Sequence, residues 1–277
     1  MSRPTISVVT ITRNNLPGLQ KTVASVLAQD YPPVELVIVD GASTDGTPEF
    51  LASLNLKNGR WISEPDEGIA DAFNKGMGLA NGDAVIFMNA GDLFVNARTL
   101  SHAIKLIPED VNLRASVVYG DYYDVVEAED YLASTDHQRM HLHSSIGHQA
   151  SFIGRDLCLR FAYDVRLPVG MDYDYWLRLL AAKVPFIKIA LPIARFDTSG
   201  INGSFDYRVH QAILDHYFVA INTRSKLTAW DAWTIFLEAF RVHLSVCLRR
   251  LVGRRVVLAA KKLLIRLGIK PGPVKAD

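Results

Sequence analysis

Between Ile6 and Val118, short runs of β-branched and apolar residues alternate with segments of helical period, and this constrains the fold more than any other feature. Such a rhythm is what a parallel sheet covered by helices on both faces looks like in one dimension. Residues 6–11 (ISVVTI) read as a first strand, and residues 16–28 place Leu16, Leu19, Val23, Val26 and Leu27 on one face of a helix. Residues 35–40 (ELVIVD) read as a second buried strand; the turn-forming run 41–46 opens a helix over 47–54, and a short strand falls near Trp61. A helix over 69–80 stops at Asn81-Gly82-Asp83, and residues 84–88 (AVIFM) form a wholly apolar central strand that runs into Asn89-Ala90-Gly91-Asp92.

Beyond about residue 120 the alternation weakens. A strand over 117–123, a polar His-rich stretch, an apolar strand over 150–153 and a helix over 172–183 suggest an acceptor-binding addition. From about Lys226 the period is helical, with Trp230, Trp233, Phe236, Leu237, Phe240, Leu244 and Leu248 ahead of a cluster of Arg and Lys. The domain reading is one folded unit over 1–205, in two halves (1–118 and 119–205), followed by a helical, basic amphipathic region over 206–277. Lys and Arg number 30 against 29 Asp and Glu, so the net charge of +1 asks for no nucleic acid. Cys158 and Cys247 form no CxxC pattern, which argues against a disulfide framework or a thiolate metal site and fits a reducing compartment. The first residues lack the apolar core of a signal peptide, and no charge-free run approaches the roughly 18 residues of a spanning helix. The expected location is cytoplasmic, peripheral on a membrane if the basic tail lies on an anionic leaflet; packing of that tail on the catalytic unit is the alternative.

In open parallel sheets, ligands bind outside the carboxyl ends of the strands, so polar residues just after apolar runs are the ones to inspect. The first strand delivers Thr10, Thr12 and Arg13, the second Asp40, and the central strand Asn89 and Asp92. Asp40 suits a hydrogen bond to a nucleoside base or ribose. Asp92 suits a hard-oxygen ligand for Mg²⁺ or Mn²⁺ against a diphosphate, with Asn89 aligning it or a ligand water. Singly, Asp40 also reads as a turn residue and Asp92 as a helix cap.

Gly76-x-Gly78 invites a dinucleotide fingerprint and fails it. Position 81 is Asn, the pair closes a helix rather than opening one, and no GxxxxGK[ST] loop exists. Nicotinamide and P-loop chemistry therefore lose support, and these glycines read as helix packing and a C-cap.

VVTITRNN, ELVIVDGASTDGT, SEPDEGIADAFNKG and FMNAGD, in this order and spacing, resemble the signature of family 2 glycosyltransferases, and most closely the bacterial branch that builds exopolysaccharides of the colanic-acid type. The resemblance covers most of residues 5–205 and is strongest before residue 95. It implies a GT-A fold, a Rossmann-like, mostly parallel central sheet flanked by helices, here with a C-terminal helical amphipathic extension. It also implies an inverting transfer of a sugar from a nucleotide-diphosphate sugar to a saccharide or lipid-linked saccharide in cell-surface polysaccharide synthesis.

By the same resemblance, Thr10, Arg13 and Asp40 bind the nucleotide, and the segment 66–75, with Asp71 and Lys75, lies against the nucleotide and sugar. Asp92 stands for the family's Asp-x-Asp metal motif, although Gly91 replaces an acid in front of it. Asp172, at the start of a helix, matches the acid that serves as general base, with Met171 where the family has a preceding acid and Asp174 as the second choice. The alternative for Asp172 is a charge at a helix N-terminus. His148-Gln149 resembles a pair found near the donor phosphates; a structural His beside a strand is the alternative. His141-x-His143 is too short a pattern to specify zinc, and residues 201–204 resemble a loop that closes over the donor. The missing acids at 91 and 171 motivate a competing function, a catalytically silent nucleotide-sugar-binding or scaffold subunit.

Overall fold

The computed structural model describes residues 3–126, 129–140, 144–167 and 170–197. The alternating first half folds as its pattern dictates. Strands β1 (Ile6–Thr12), β2 (Val34–Asp40), β3 (Gly59–Ser63) and β4 (Ala84–Phe87) lie parallel, with helices α1 (Leu16–Leu27), α2 (Thr47–Ser53) and α3 (Ile69–Leu79) as crossovers. Successive side chains of a strand point to opposite faces, so Val9, Val37, Val85 and Phe87 pack with α3, whereas Val8, Leu36, Ile38 and Ile86 pack with Leu19 and Val23 of α1. Both faces being covered explains why β1, β2 and β4 are largely apolar, whereas β3, at the sheet edge, is mostly exposed. A Cβ on Gly76 would stand 2.3 Å from Val9 Cγ1, so this glycine permits the close approach of α3 to β1.

The second half adds β5 (Leu93–Phe94), α4 (Thr99–Leu106), β6 (Val117–Val126), β7 (Glu129–Ala133), β8 (Ser151–Gly154), α5 (Arg155–Arg160), α6 (Met171–Ala181) and β9 (Phe186–Asp197). The sheet runs β3-β2-β1-β4-β8-β6-β9-β5, with β7 paired to β6. Here the parallel rule gives way: β8 is antiparallel to both β4 and β6, β9 is parallel to β6, and β5 is antiparallel to β9. Sequence patterning does not predict β7, α5 or β9. Gly154 carries the chain straight into α5, a helix of 6 residues that is too short to show a period.

These directions determine where the chemistry collects. Because β8 runs against β4, its first residues lie at the carboxyl end of β4, and with them the single turn His148–Ala150. Because β9 runs with β6, and β6 runs against β8, β9 also ends at that edge, with Asp197. The carboxyl ends of β1, β2, β4 and β9 and the amino end of β8 therefore share one rim. The expected basic tail over 206–277, the loop 201–204, His141, His143 and Cys247 lie outside the described residues. Cys158 is buried, and burial pushes its thiol up to about 12, so it is inert at neutral pH.

Candidate active site

At the rim, backbone hydrogen bonds extend the sheet beyond the strands. Gly41 N–H donates to Thr12 O (2.9 Å), Met88 N–H to Val9 O (2.9 Å) and Ala90 N–H to Ile11 O (3.1 Å). The residues after β4 are then fixed from α1. Thr22 Oγ1 lies 2.8 Å from Asp92 O and 3.1 Å from Asn89 O, and accepts from Gly91 N–H at 2.9 Å. Asn15, the N-cap of α1, accepts from Gly18 N–H (3.1 Å) and donates to Ala90 O (3.0 Å). Gly91 has φ of +113°, a conformation side chains rarely adopt, which suits a glycine at this position.

A cavity of about 470 Å³ opens here, bounded by Thr12, Arg13, Asn15, Asp66, Gly68, Asn89, Asp92, Phe196 and Asp197. Asp92 is 3% exposed, and its carboxylate accepts from Asn89 N–H and Asp197 N–H, each at 3.2 Å. Burial pushes its pKa up to about 7; the Asp197 charge adds to that, and His148 opposes it. A buried carboxylate beside a second acid is poised to take up positive charge. Thr12 Oγ1 and Asn89 Oδ1 are buried there without a partner. Among the described residues no cluster of three His, Cys, Asp or Glu forms a metal cage. Asp92 and Asp197 nevertheless fit Mg²⁺ or Mn²⁺, which commonly take only one or two protein carboxylates and fill the remaining positions with phosphate oxygens and water.

A second cavity of about 210 Å³ adjoins it, lined by Tyr122, Ser134, Thr135, Asp136, Arg139, Ser145, His148, Gln149, Asp172 and Phe196. Phe196 borders both cavities. His148 joins them: its Nε2 lies 3.1 Å from Asn89 Nδ2 and its Nδ1 lies 3.6 Å from Asp172 Oδ2. Asp172 stands in the first turn of α6, about one-fifth exposed, with its other oxygen accepting from Tyr173 N–H (2.9 Å). Asp174 is instead paired with Arg178 at 2.8 Å and lines neither cavity.

The expected site residues separate into three groups. Arg13, Asn89, Asp92, His148 and Asp172 line the two cavities. Thr10 and Asp40 are fully buried behind them. Asp40 accepts from Ser43 N–H (3.1 Å), Ser63 Oγ (2.6 Å) and Ser43 Oγ, so its carboxylate shapes the loop after β2 and does not line the cavity. Asp71 and Lys75 pair at 3.1 Å, and Lys75 also binds Glu64 (3.0 Å) and Pro65 O (2.8 Å). They hold the segment that carries Asp66, whose Oδ2 would be 2.2 Å from a Cβ at Gly41. Sequence reasoning missed Asp197 and Thr22. Asp197 closes a strand whose pattern is broken by Lys188, Pro192 and Arg195, and a Thr on a helix is commonplace, so neither carried a local signal.

Residues 7–156 match the family described as Glycosyl transferase family 2. An uncharacterised glycosyltransferase of Mycobacterium tuberculosis H37Rv is 31% identical over 212 residues, covering 72% of this chain and 78% of the relative. A PGL/p-HBAD biosynthesis glycosyltransferase of Mycobacterium bovis BCG is 31% identical over 182 residues, covering 64% and 70%. Among solved structures, the mannosyltransferase PcManGT from Pyrobaculum calidifontis in complex with GDP-Man and Mn²⁺ superposes with a TM-score of 0.61 at 19% identity, over 98% of this chain and 82% of that one. S. aureus TarS 1–349 in complex with UDP gives a TM-score of 0.59 at 17% identity, over 87% and 72%. At these identities the structural likeness speaks to the fold alone, and that fold is GT-A.

Proposed function

Because the chain belongs to glycosyl transferase family 2 and is a glycosyltransferase, we propose that it performs an inverting transfer of a hexose-type unit from a nucleotide-diphosphate sugar to a saccharide or lipid-linked saccharide of the cell surface. The observation that carries this reading is the junction at Phe196, where a cavity walled by Asp92 and Asp197 meets one walled by Asp172.

In this reading the donor occupies the larger cavity. Arg13, without an ion-pair partner among the described residues, meets donor phosphate or ribose, and the unpartnered Thr12 Oγ1 and Asn89 Oδ1 offer polar contacts. Asp40 acts through the loop it shapes. Asp92 and Asp197 would hold Mg²⁺ or Mn²⁺, which neutralises charge developing on the leaving diphosphate. The acceptor enters the smaller cavity, whose hydroxyl, amide and aromatic walls suit a sugar. Asp172 removes the proton from the attacking hydroxyl on the face opposite the leaving group, which gives inversion.

Membrane contact belongs to the same proposal and rests on sequence: no acid occurs between Arg241 and Lys270. No helix among the described residues is long and apolar enough to cross a membrane. The deciding experiment incubates the protein with a panel of nucleotide sugars and acceptors, with and without Mn²⁺, and measures release of nucleoside diphosphate. Cation-dependent release with glycosylated acceptor is expected. Donor binding without turnover across the panel would favour a silent nucleotide-sugar-binding subunit.

A further inference from the structure

The cavities do not merely adjoin; a chain of polar contacts runs between them. We infer that His148 is a positioning residue that holds the Asp172 carboxylate in place for proton abstraction and ties it to the loop carrying Asp92. The inference rests on the reading of Asp172 as the base.

His148 is 7% exposed, so its ring nitrogens must find partners within the protein. Phe73 fixes the plane of the ring edge-on, with centroids 5.3 Å apart at 71°. Asp172 Oδ2 faces Nδ1 at 3.6 Å. A bare nitrogen lone pair would be repelled by that carboxylate, so the proton belongs on Nδ1. In the neutral ring Nε2 is then the acceptor, and it faces the Asn89 amide at 3.1 Å. Both contacts thus select the same tautomer. The Nδ1 contact is slightly longer than a hydrogen bond, as catalytic contacts often are before substrate binds. Asn89 in turn donates its backbone N–H to Asp92 Oδ2 (3.2 Å) and accepts from Asp92 N–H (2.8 Å). The path Asp92–Asn89–His148–Asp172 therefore links the wall of one cavity to the acid of the other, where a contact with donor phosphates alone would have left Nδ1 unexplained.

The substitutions that test this exploit amide geometry. In His148→Asn the side-chain nitrogen falls near the place of Nδ1 and can still reach Asp172; in His148→Gln the amide falls near Nε2, where its oxygen can accept from Asn89 but nothing reaches Asp172. His148→Ala should lower kcat about 10–100-fold, a part of the roughly 10²–10⁴-fold that a positioned base supplies, with donor KM changed less than about twofold. His148→Asn should restore most of the loss and His148→Gln little, and in an Asp172→Asn background His148→Ala should cost almost nothing more. A raised donor KM at unchanged kcat, rescue by Gln rather than Asn, or losses that multiply in the double variant would overturn the inference. Nitrogen-15 spectra of the histidine-labelled full chain give a readout independent of turnover. His148 should be the Nδ1–H tautomer and its signals should shift in Asp172→Asn; an Nε2–H ring indifferent to that substitution contradicts the link. If the wild type transfers no sugar to any acceptor, the base assignment fails, and these spectra alone decide whether His148 and Asp172 are coupled.

Discussion

The two halves of the molecule build their shares of the site by different means. In residues 3–118 the functional side chains follow directly from strand direction: parallel strands end together, and Arg13, Asn89 and Asp92 come to the rim because they follow apolar runs. In residues 119–197 the contributing residues arrive at the end of β9, on a single helical turn and in the first turn of α6, brought together only by tertiary pairing. In the proposed function the first half is the platform for the donor. The second contributes Asp172, the proposed base, and most of the smaller cavity. Affinity for donor and turnover of donor should therefore separate by region.

The sharpest division comes from Asp172→Asn, which keeps the shape and removes the proposed base. Turnover should fall about 10²–10⁴-fold, while donor affinity measured by calorimetry stays within about twofold; a large loss of affinity would erase the distinction between the halves.

Asp92 tests the platform through pH. Its folded pKa, about 7, is raised above the ordinary carboxylate value of 3.8. The folded state therefore binds the extra proton between these values. Its contribution to stability is full below about pH 4, declines as pH rises, and is gone above about pH 7, a span worth on the order of 4 kcal/mol. In denaturant titrations of the metal-free protein, Asp92→Asn should flatten this decline relative to wild type, and Mn²⁺ should protect the wild type more at pH 8 than at pH 6. Parallel pH profiles for the two proteins would show that Asp92 does not carry the buried charge.

Thr22 tests whether the Asn89–Asp92 loop is fixed from α1. Thr22→Val keeps the packing volume but leaves the Gly91 N–H and the Asp92 carbonyl oxygen without their partner. It should cost about 1–3 kcal/mol in chemical denaturation and raise donor KM; a stability change below about 0.5 kcal/mol would mean the loop holds itself. The smallest effect is expected at Lys75. Its pairs with Glu64 and Asp71 are partly exposed, so Lys75→Met should cost less than about 1 kcal/mol and alter donor affinity only through the segment carrying Asp66. A loss of donor affinity beyond about tenfold would place Lys75 on the donor itself.

Much of the platform was legible in the sequence because apolar runs such as AVIFM specify buried strands, and buried parallel strands specify where their ends go. Asp92 and Asn89 followed from that alone. The orientation of Asp40 did not: it depends on the register that sets Asp40 opposite Ser63, which no local pattern encodes. Nor did β9, where Lys188, Pro192 and Arg195 interrupt any period-two pattern, and with β9 went Asp197. Asp172 and His148 were legible only through family resemblance. The contact between them, made by residues 24 positions apart on separate elements, belongs to tertiary structure.

The central claim is that one donor spans the junction of the two cavities. A crystal structure with an unreactive nucleotide-sugar analogue and Mn²⁺ tests it most directly. The account predicts the diphosphate and cation against Asp92 and Asp197, with the anomeric carbon turned past Phe196 toward Asp172. A nucleotide seated in the smaller cavity, or a sugar pointing away from Asp172, would contradict it.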